Sequence, residues 1–336
     1  MGENIKKVLI IDDRGDYVNF LKETLEETGK VKITIATKYF SILSQISLDF
    51  DVILLNIKIE KISGLDVLYQ IMQNNPTPVI VMTGDSDFSS EETLTALKYG
   101  AVDFLEINNN MNFLKREREK LIALIKSASL INVKKTFFRK VKELKKVTKS
   151  SDKIVVLGSS TGGPSVVTSI LESFPEDFPT PIFIIQHMGK NFTRIFASRL
   201  NRLCKVVVKE AEHKEEIKKS IAYVAPGGFN LEVSRFGNKN IILLTEKKSS
   251  LTPSIDLAIS SIAKIYEEKT VAIILTGMGS DGSRGIDLVK KYGGKVIAQN
   301  KKSSVVFGMP KVVIEQGNAD FVLSENLISK KINELL

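Results

Sequence analysis

Three residues in the second half of the chain could together carry out acyl transfer: Ser160, His187 and Asp281. Ser160 lies in Gly158-Ser159-Ser160-Thr161-Gly162-Gly163, after the apolar run 154–157 and ahead of Val166, Val167, Ile170 and Leu171. That pattern predicts a strand, a tight turn and a helix. Such a turn sets small side chains at the carboxyl end of a parallel strand. It also aims backbone N–H groups and the positive end of a helix dipole at whatever lies there. Phosphate binding and a serine nucleophile with a backbone-held oxyanion both need that geometry, and the glycines do not choose between them. His187 directly follows the apolar run 181–186, and Asp281 closes Thr276-Gly277-Met278-Gly279-Ser280-Asp281 after the apolar run 271–275. All three residues thus belong to carboxyl ends of strands. A nucleophile, a base to take its proton and a carboxylate to orient the base are what serine hydrolysis requires. Each also has a plainer use. Ser159 or Ser160 could cap a helix, a lone histidine after a strand is often structural, and Asp281 could cap the helix starting near Gly282. Their convergence on one sheet edge favours chemistry. The other histidine, His213, sits in a charged stretch and reads as solvated.

A second group of polar residues marks strand ends in the first half. Asp12 and Asp13 follow the apolar run 8–11, Asn56 falls in the run 52–57, and Thr83 follows 78–82. Paired acids at a strand end suit a divalent cation such as Mg²⁺.

The elements that must position these groups alternate regularly. Strands are expected over 8–11, 33–36, 52–57, 78–82 and 102–105, with helices over 17–27, 40–48, 65–73, 91–99 and about 112–130. Five such units imply a doubly wound parallel sheet. The second half repeats the rhythm, with strands over 154–157, 181–186, 206–209, 271–275 and 296–298 and helices over 165–173, 192–202, 254–266 and 286–292. The short runs 221–224, 231–233 and 241–244, broken by Pro226-Gly227-Gly228 and Gly237-Asn238, read as a β-rich insertion with hairpins. The fold class is therefore α/β throughout. The expected domains are 1–130, a basic linker over 131–152, and 153–336.

With 43% apolar and 26% charged residues, the 336-residue chain is of the ordinary globular kind. Its formal charge of +9 is concentrated between residues 115 and 153. The plainest reading of that stretch is a solvated linker helix; nucleic acid, a membrane surface or an acidic protein would also answer to it. The lone Cys204 rules out an intramolecular disulfide. The N-terminal apolar run is too short for a signal peptide, and no apolar stretch reaches the roughly 20 residues needed to span a bilayer. A cytoplasmic protein without membrane insertion is expected.

Residues 7–130 resemble the receiver domains of bacterial response regulators, with Asp12 and Asp13 at the acidic metal-binding pair, Thr83 at the switch hydroxyl and Gly100-Ala101-Val102-Asp103-Phe104 at the fifth unit. The resemblance implies a flavodoxin-like fold. It departs where chemistry matters most: the phosphoacceptor aspartate is Asn56, the phosphoryl-pairing lysine falls at Ile107, and the usual Met-Pro falls at Ile59-Glu60. A carboxamide does not form an acyl phosphate. The expectation is a receiver that is not phosphorylated at the usual position, which puts transfer from a chemotaxis histidine kinase in doubt and leaves only a weak Mg²⁺ site at Asp12 and Asp13.

The motifs LGSSTGGP, IIQHM, YVAPGGFNLEV, PSIDLAI, LTGMGSDG and SSVVFGMP, in that order, resemble the catalytic domain of the chemotaxis protein-glutamate methylesterase family, CheB. That resemblance implies a Rossmann-like catalytic domain that hydrolyses glutamate γ-methyl esters and deamidates glutamines on methyl-accepting chemotaxis receptors, without a cofactor. It implies Ser160 as nucleophile, His187 as base, Asp281 as third member, and Thr161, Gly162 and Met278 as neighbours that support the oxyanion. Where the family carries an aromatic and then a histidine after Pro-Gly-Gly, this chain has Phe229-Asn230, and Asn300-Lys301-Lys302 replaces a more acidic segment. Both departures are expected to touch surface recognition or the contact with the receiver rather than the triad. Other readings are an interaction module without activity and a DNA-binding regulator suggested by the basic linker. A nucleotide site at the Gly158–Gly163 turn lacks the usual phosphate-loop spacing.

Overall fold

Runs rich in Val, Ile and Leu alternate with amphipathic stretches in both halves of the chain, and each half builds its own parallel sheet. The structure, a computed structural model, describes residues 5–84, 90–107, 118, 121–126, 128–129, 133, 151–246, 249 and 251–336. The chain divides into two units, Met1–Arg139 and Lys140–Leu336.

In the first unit the order is β1 (Lys6–Ile11), α1 (Gly15–Glu26), β2 (Val31–Ala36), α2 (Tyr39–Gln45), β3 (Val52–Asn56), β4 (Lys58–Ile59), β5 (Ile62–Ser63), α3 (Gly64–Asn74), β6 (Val79–Gly84), α4 (Ser90–Lys98) and β7 (Asp103–Ile107). The sheet runs β2-β1-β3-β6-β7, all parallel, which is the flavodoxin-like order. Strand order reverses between β1 and β3, so Asp12, which follows β1, and Asn56, which ends β3, meet at the switch point. The expected closing helix is described only in part: residues 118 and 121–126 are helical, and Leu121, Ile122 and Ile125 are buried. The basic linker expected over 131–152 lies outside the described residues apart from Val133, Ser151 and Asp152, and Val133 packs in the first unit's core.

The second unit contains β8 (Ile154–Ser159), α5 (Gly163–Glu172), β9 (Ile182–Gln186), α6 (Lys190–Leu203), β10 (Val207–Glu210), β11 (Ile221–Val224), β12 (Asn230–Phe236), β13 (Lys239–Thr245), α7 (Ile255–Tyr266), β14 (Thr270–Ile274), α8 (Ser283–Lys291), β15 (Lys295–Gln299), α9 (Met309–Glu315), β16 (Phe321–Leu323) and α10 (Glu325–Leu335). Seven parallel strands run β10-β11-β9-β8-β14-β15-β16. β8, β9 and β14 are buried along their whole lengths, as expected where helices cover both faces of a sheet.

One strand corrects the sequence reading. The run 221–224 does not belong to the insertion; it enters the main sheet as β11, paired with β10 and β9. Its length matches either role, and only pairing partners separate them. The insertion is the single hairpin β12–β13, held by seven antiparallel residue pairs and packed by Leu231, Val233 and Ile242 into the core under α7. The terminal elements α9, β16 and α10 were not foreseen from the sequence.

Candidate active site

β8 is the centre of the site. It lies between β9 and β14, where connections on the two sides of the sheet diverge, so three adjacent strands end at one crevice. Ser160 follows β8, His187 follows β9 and Asp281 follows β14. Backbone bonds extend the sheet beyond the strands: His187 N–H donates to Ser159 O at 3.0 Å, and Ser160 N–H donates to Thr276 O at 3.0 Å. The three sequence-predicted residues therefore come from three neighbouring turns.

His187 and Asp281 are in direct contact. His187 Nε2 lies 2.8 Å from Asp281 Oδ2, and each side chain is 11% exposed. An ionised carboxylate only accepts, so Nε2 carries the proton and Nδ1 is the atom left to take one from a nucleophile. Asp281 does not merely cap the helix that follows it. Its Oδ2 accepts Ile255 N–H at 2.8 Å, and its Oδ1 accepts Asp256 N–H at 3.0 Å, Gly282 N–H at 3.1 Å and the Ser254 hydroxyl at 3.3 Å. The carboxylate thus sits on the first turn of α7, where helix N–H groups favour negative charge. Burial by itself would raise its pKa; the bonds from His187 and from the Asp256 and Ile255 amides outweigh burial and hold it below the ordinary carboxylate range.

The serine turn is shaped by close approach. Gly162 has φ +74°, and a Cβ there would stand 2.4 Å from Val305 Cβ. A Cβ on Gly277 would stand 2.7 Å from Ser160 Cβ, so the Thr276–Met278 segment runs directly beside the candidate nucleophile. Ser159, equal to Ser160 as a sequence candidate, is fully buried and donates to Gln186 Oε1 at 2.6 Å, which removes it from contention. Ser160 is partly exposed. Among the described residues no hydrogen bond joins its hydroxyl to His187, a looseness common before substrate binds. Gly163 N–H is engaged by Ser160 O at 2.8 Å, leaving the N–H groups of Thr161, Gly162 and Met278 as candidate oxyanion donors. Thr161 O accepts the Thr276 hydroxyl at 2.9 Å, which ties the two turns together. Met278 is 40% exposed at the lip.

Three contributors escaped the sequence reading. Gln186, 3% exposed, accepts from Ser159 and donates through Nε2 to Ser160 O at 3.0 Å and to His187 O at 3.1 Å. It joins the nucleophile's turn to the base's turn; the sign of it was a polar residue ending a wholly apolar strand. Thr276 locks the Met278 loop by accepting Val306 N–H at 2.8 Å. Asn230 corrects the expectation of a surface role. It is fully buried, and its Oδ1 accepts Ser254 N–H at 2.8 Å, at the start of α7, whose first-turn amides hold the Asp281 carboxylate. His213 is exposed and accepts Leu244 N–H at 3.1 Å on the hairpin, as a solvated residue can.

At the other switch point, in the first unit, Asp12 is fully buried and Asn56 Nδ2 donates to its Oδ1 at 3.2 Å. Asp13 Oδ2 accepts Glu60 N–H at 2.6 Å. Thr83 is 1% exposed, and its hydroxyl lies 3.4 Å from Leu105 O. Arg14, which the sequence reading passed over, grips Asp12 through Nε and Nη2. Both Asp12 oxygens accept from that guanidinium. Among the described residues there is no group of three or more His, Cys, Asp or Glu that could hold a metal ion.

The fold and the site define a Rossmann-like α/β hydrolase unit equipped for nucleophilic acyl transfer, in one chain with a flavodoxin-like receiver unit. Comparison with known proteins agrees. The CheB methylesterase family matches residues 155–332 and the response regulator receiver domain matches residues 8–116. A protein-glutamate methylesterase/protein-glutamine glutaminase of Thermotoga maritima is 37% identical over the full length of both chains, and one of Halalkalibacterium halodurans is 36% identical over 97% of each. The crystal structure of the Thermotoga maritima CheB methylesterase catalytic domain superposes with a TM-score of 0.54 at 46% identity, covering 55% of this chain and all of that one. This chain belongs to the CheB methylesterase family, and it is a two-domain enzyme of the response-regulator type.

Proposed function

We propose that the chain hydrolyses glutamate γ-methyl esters, and deamidates glutamines, on the cytoplasmic helices of chemotaxis receptors, with Ser160 as nucleophile. The observation that carries this is the His187–Asp281 pair, 2.8 Å apart beside the Ser160 turn. His187 Nδ1 takes the hydroxyl proton as Ser160 Oγ attacks the ester carbonyl. The N–H groups of Met278 and of the Thr161–Gly162 turn hold the oxyanion. His187 returns the proton to the leaving methoxide, methanol departs, and an acyl-serine remains. Water then attacks, His187 again serving as base, and the glutamate carboxylate is released. With a glutamine the same steps release ammonia. Asp281 stays ionised throughout and stabilises the imidazolium. All the chemistry is drawn from side chains and backbone; no cofactor takes part.

Receptor segments rich in glutamate are acidic, and α6 opens just after the His187 turn with Lys190 and, one turn on, Arg194, so encounter is assisted by charge. The receiver unit is not phosphorylated at position 56, so a histidine kinase is not its phosphodonor at that position, and the unit serves as a constitutive inhibitor, a docking module or a domain answering to a partner. Among the described residues no helix is long and apolar enough to cross a membrane.

Methanol release from methylated receptor membranes tests the reading. Ser160→Ala is expected to abolish release while the far-UV and thermal signatures persist, and a small-molecule phosphodonor is expected to leave the full chain's rate unchanged. Wild-type release from folded Ser160→Ala would remove the nucleophile assignment, and acceleration by the donor would overturn the reading of Asn56.

A further inference from the structure

Arg14 follows the acidic pair in sequence and folds back onto it. Fully buried Asp12 receives the Arg14 backbone N–H at 3.0 Å, Nε at 3.0 Å to Oδ1 and 3.2 Å to Oδ2, and Nη2 at 2.5 Å to Oδ2. Asn56 Nδ2 adds a further donor to Oδ1 at 3.2 Å. Two of the three other side-chain oxygens at the site are also engaged: Asp13 Oδ2 accepts Glu60 N–H, and Asn56 Oδ1 accepts Lys58 N–H at 3.1 Å. The guanidinium is steadied from the side by the Tyr17 ring, its central carbon 4.7 Å from the centroid.

Charge and geometry both oppose a divalent ion here. Asp12 and Asp13 supply two negative charges, Arg14 returns one positive, and Asn56 supplies none. Magnesium needs octahedral oxygen ligands at about 2.0–2.1 Å. Both oxygens of Asp12 already face N–H donors, and a cation placed beside them would be repelled by the guanidinium at short range. A buried carboxylate must have a partner, and a bidentate arginine fork is the strongest one a side chain offers.

We propose that Arg14 is the built-in cation of this receiver unit: it occupies Asp12 in place of a divalent metal and, with Asn56 as neutral donor, closes the site to magnesium. This goes beyond the loss of a phosphoacceptor, because a receiver lacking only that aspartate would still offer its acidic pair to the metal. The unit then holds one charge state whatever the magnesium or phosphodonor level, and any signal it receives enters through another surface.

Calorimetric titration of the full chain with magnesium chloride, alongside thermal unfolding with and without the salt, tests this in wild type, Asn56→Asp, Arg14→Ser and the double variant. Wild type and Asn56→Asp are expected to give no binding heat and no shift in midpoint. Arg14→Ser is expected to be less stable than wild type, and the double variant to bind magnesium and gain stability from it. Saturable binding by wild type or by Asn56→Asp would overturn the proposal, as would a folded double variant that ignores the metal. If the Arg14→Ser proteins do not fold, Asn56→Asp decides alone. It restores a third carboxylate while Arg14 keeps its place, so absence of binding supports the proposal and binding sinks it. Phosphorylation plays no part in these readouts, so they stand apart from the assignment of Asn56.

Discussion

Gln186→Leu removes a buried residue that joins the turns of two members of the proposed triad. In the wild type its amide makes three bonds at 2.6, 3.0 and 3.1 Å from a position 3% exposed. Leucine fills much of the volume and breaks all three. Ser160 O keeps its bond from Gly163 N–H, so two buried groups lose this partner: the Ser159 hydroxyl and His187 O. Each unsatisfied group costs roughly 1–3 kcal/mol, so the expected destabilisation is about 2–6 kcal/mol, read as a lowered denaturant midpoint with unchanged slope. The His187 and Ser160 turns are then free to shift relative to each other, and a displacement of about 1 Å is worth on the order of 10²-fold in rate. The expectation is a kcat for methanol release down about 10²-fold with KM unchanged, equivalent to about 2.7 kcal/mol of transition-state stabilisation. Removing both ends of one bond is far milder than removing one, so Ser159→Ala combined with Gln186→Leu should recover part of the stability lost by Gln186→Leu, through a coupling of roughly 1–3 kcal/mol. It should not recover kcat, because the links to Ser160 O and His187 O stay broken. A folded Gln186→Leu enzyme with wild-type kcat would refute the positioning role, and an effect confined to KM would place Gln186 in contact with substrate instead.

Two further perturbations read other parts of the site. Asp281→Asn removes the charge opposite His187 Nε2 and should lower kcat on the order of 10⁴-fold, as for other serine triads. Because the folded Asp281 carboxyl lies below its ordinary value, its stabilising contribution is complete above the ordinary carboxyl range and is lost as pH falls through the depressed folded value. The stability gap between wild type and Asp281→Asn should therefore be widest near neutrality and close in acid, which urea unfolding across pH would measure; a gap that widens in acid would contradict the direction of the shift. Gly162→Ala places a Cβ at φ +74° against Val305 and should cost roughly 1–3 kcal/mol from the backbone alone, with further loss from the contact, seen as a lowered Tm.

The sequence by itself determined a great deal here, because the informative signals are local. Glycines beside small polar residues after buried β runs mark the carboxyl ends of β8 and β14, the apolar run ahead of His187 marks that of β9, and strand-end residues in a parallel sheet converge by topology. That convergence by itself brings Ser160, His187 and Asp281 to one edge. The replacement of a carboxylate by Asn56 is likewise legible as chemistry lost. What the tertiary structure decided is partnership. Ser159 and Ser160 are indistinguishable as neighbours in sequence; burial and the bond to Gln186 separate them. Asp281 was expected to bind His187 or cap the next helix, whereas it also rests on the amides of α7, contributed from 25 residues earlier in the chain. The run 221–224 has the composition of either a hairpin arm or a sheet strand, and only its parallel partners assign it to the sheet. Asn230 sits among turn residues that favour a surface, yet its side chain is buried against Ser254. Arg14 follows Asp12 and Asp13 in plain view, but a long flexible side chain has many places to go. Its return onto Asp12 is set by a buried charge that needs a counter-ion, and that need arises only once the sheet has closed around it.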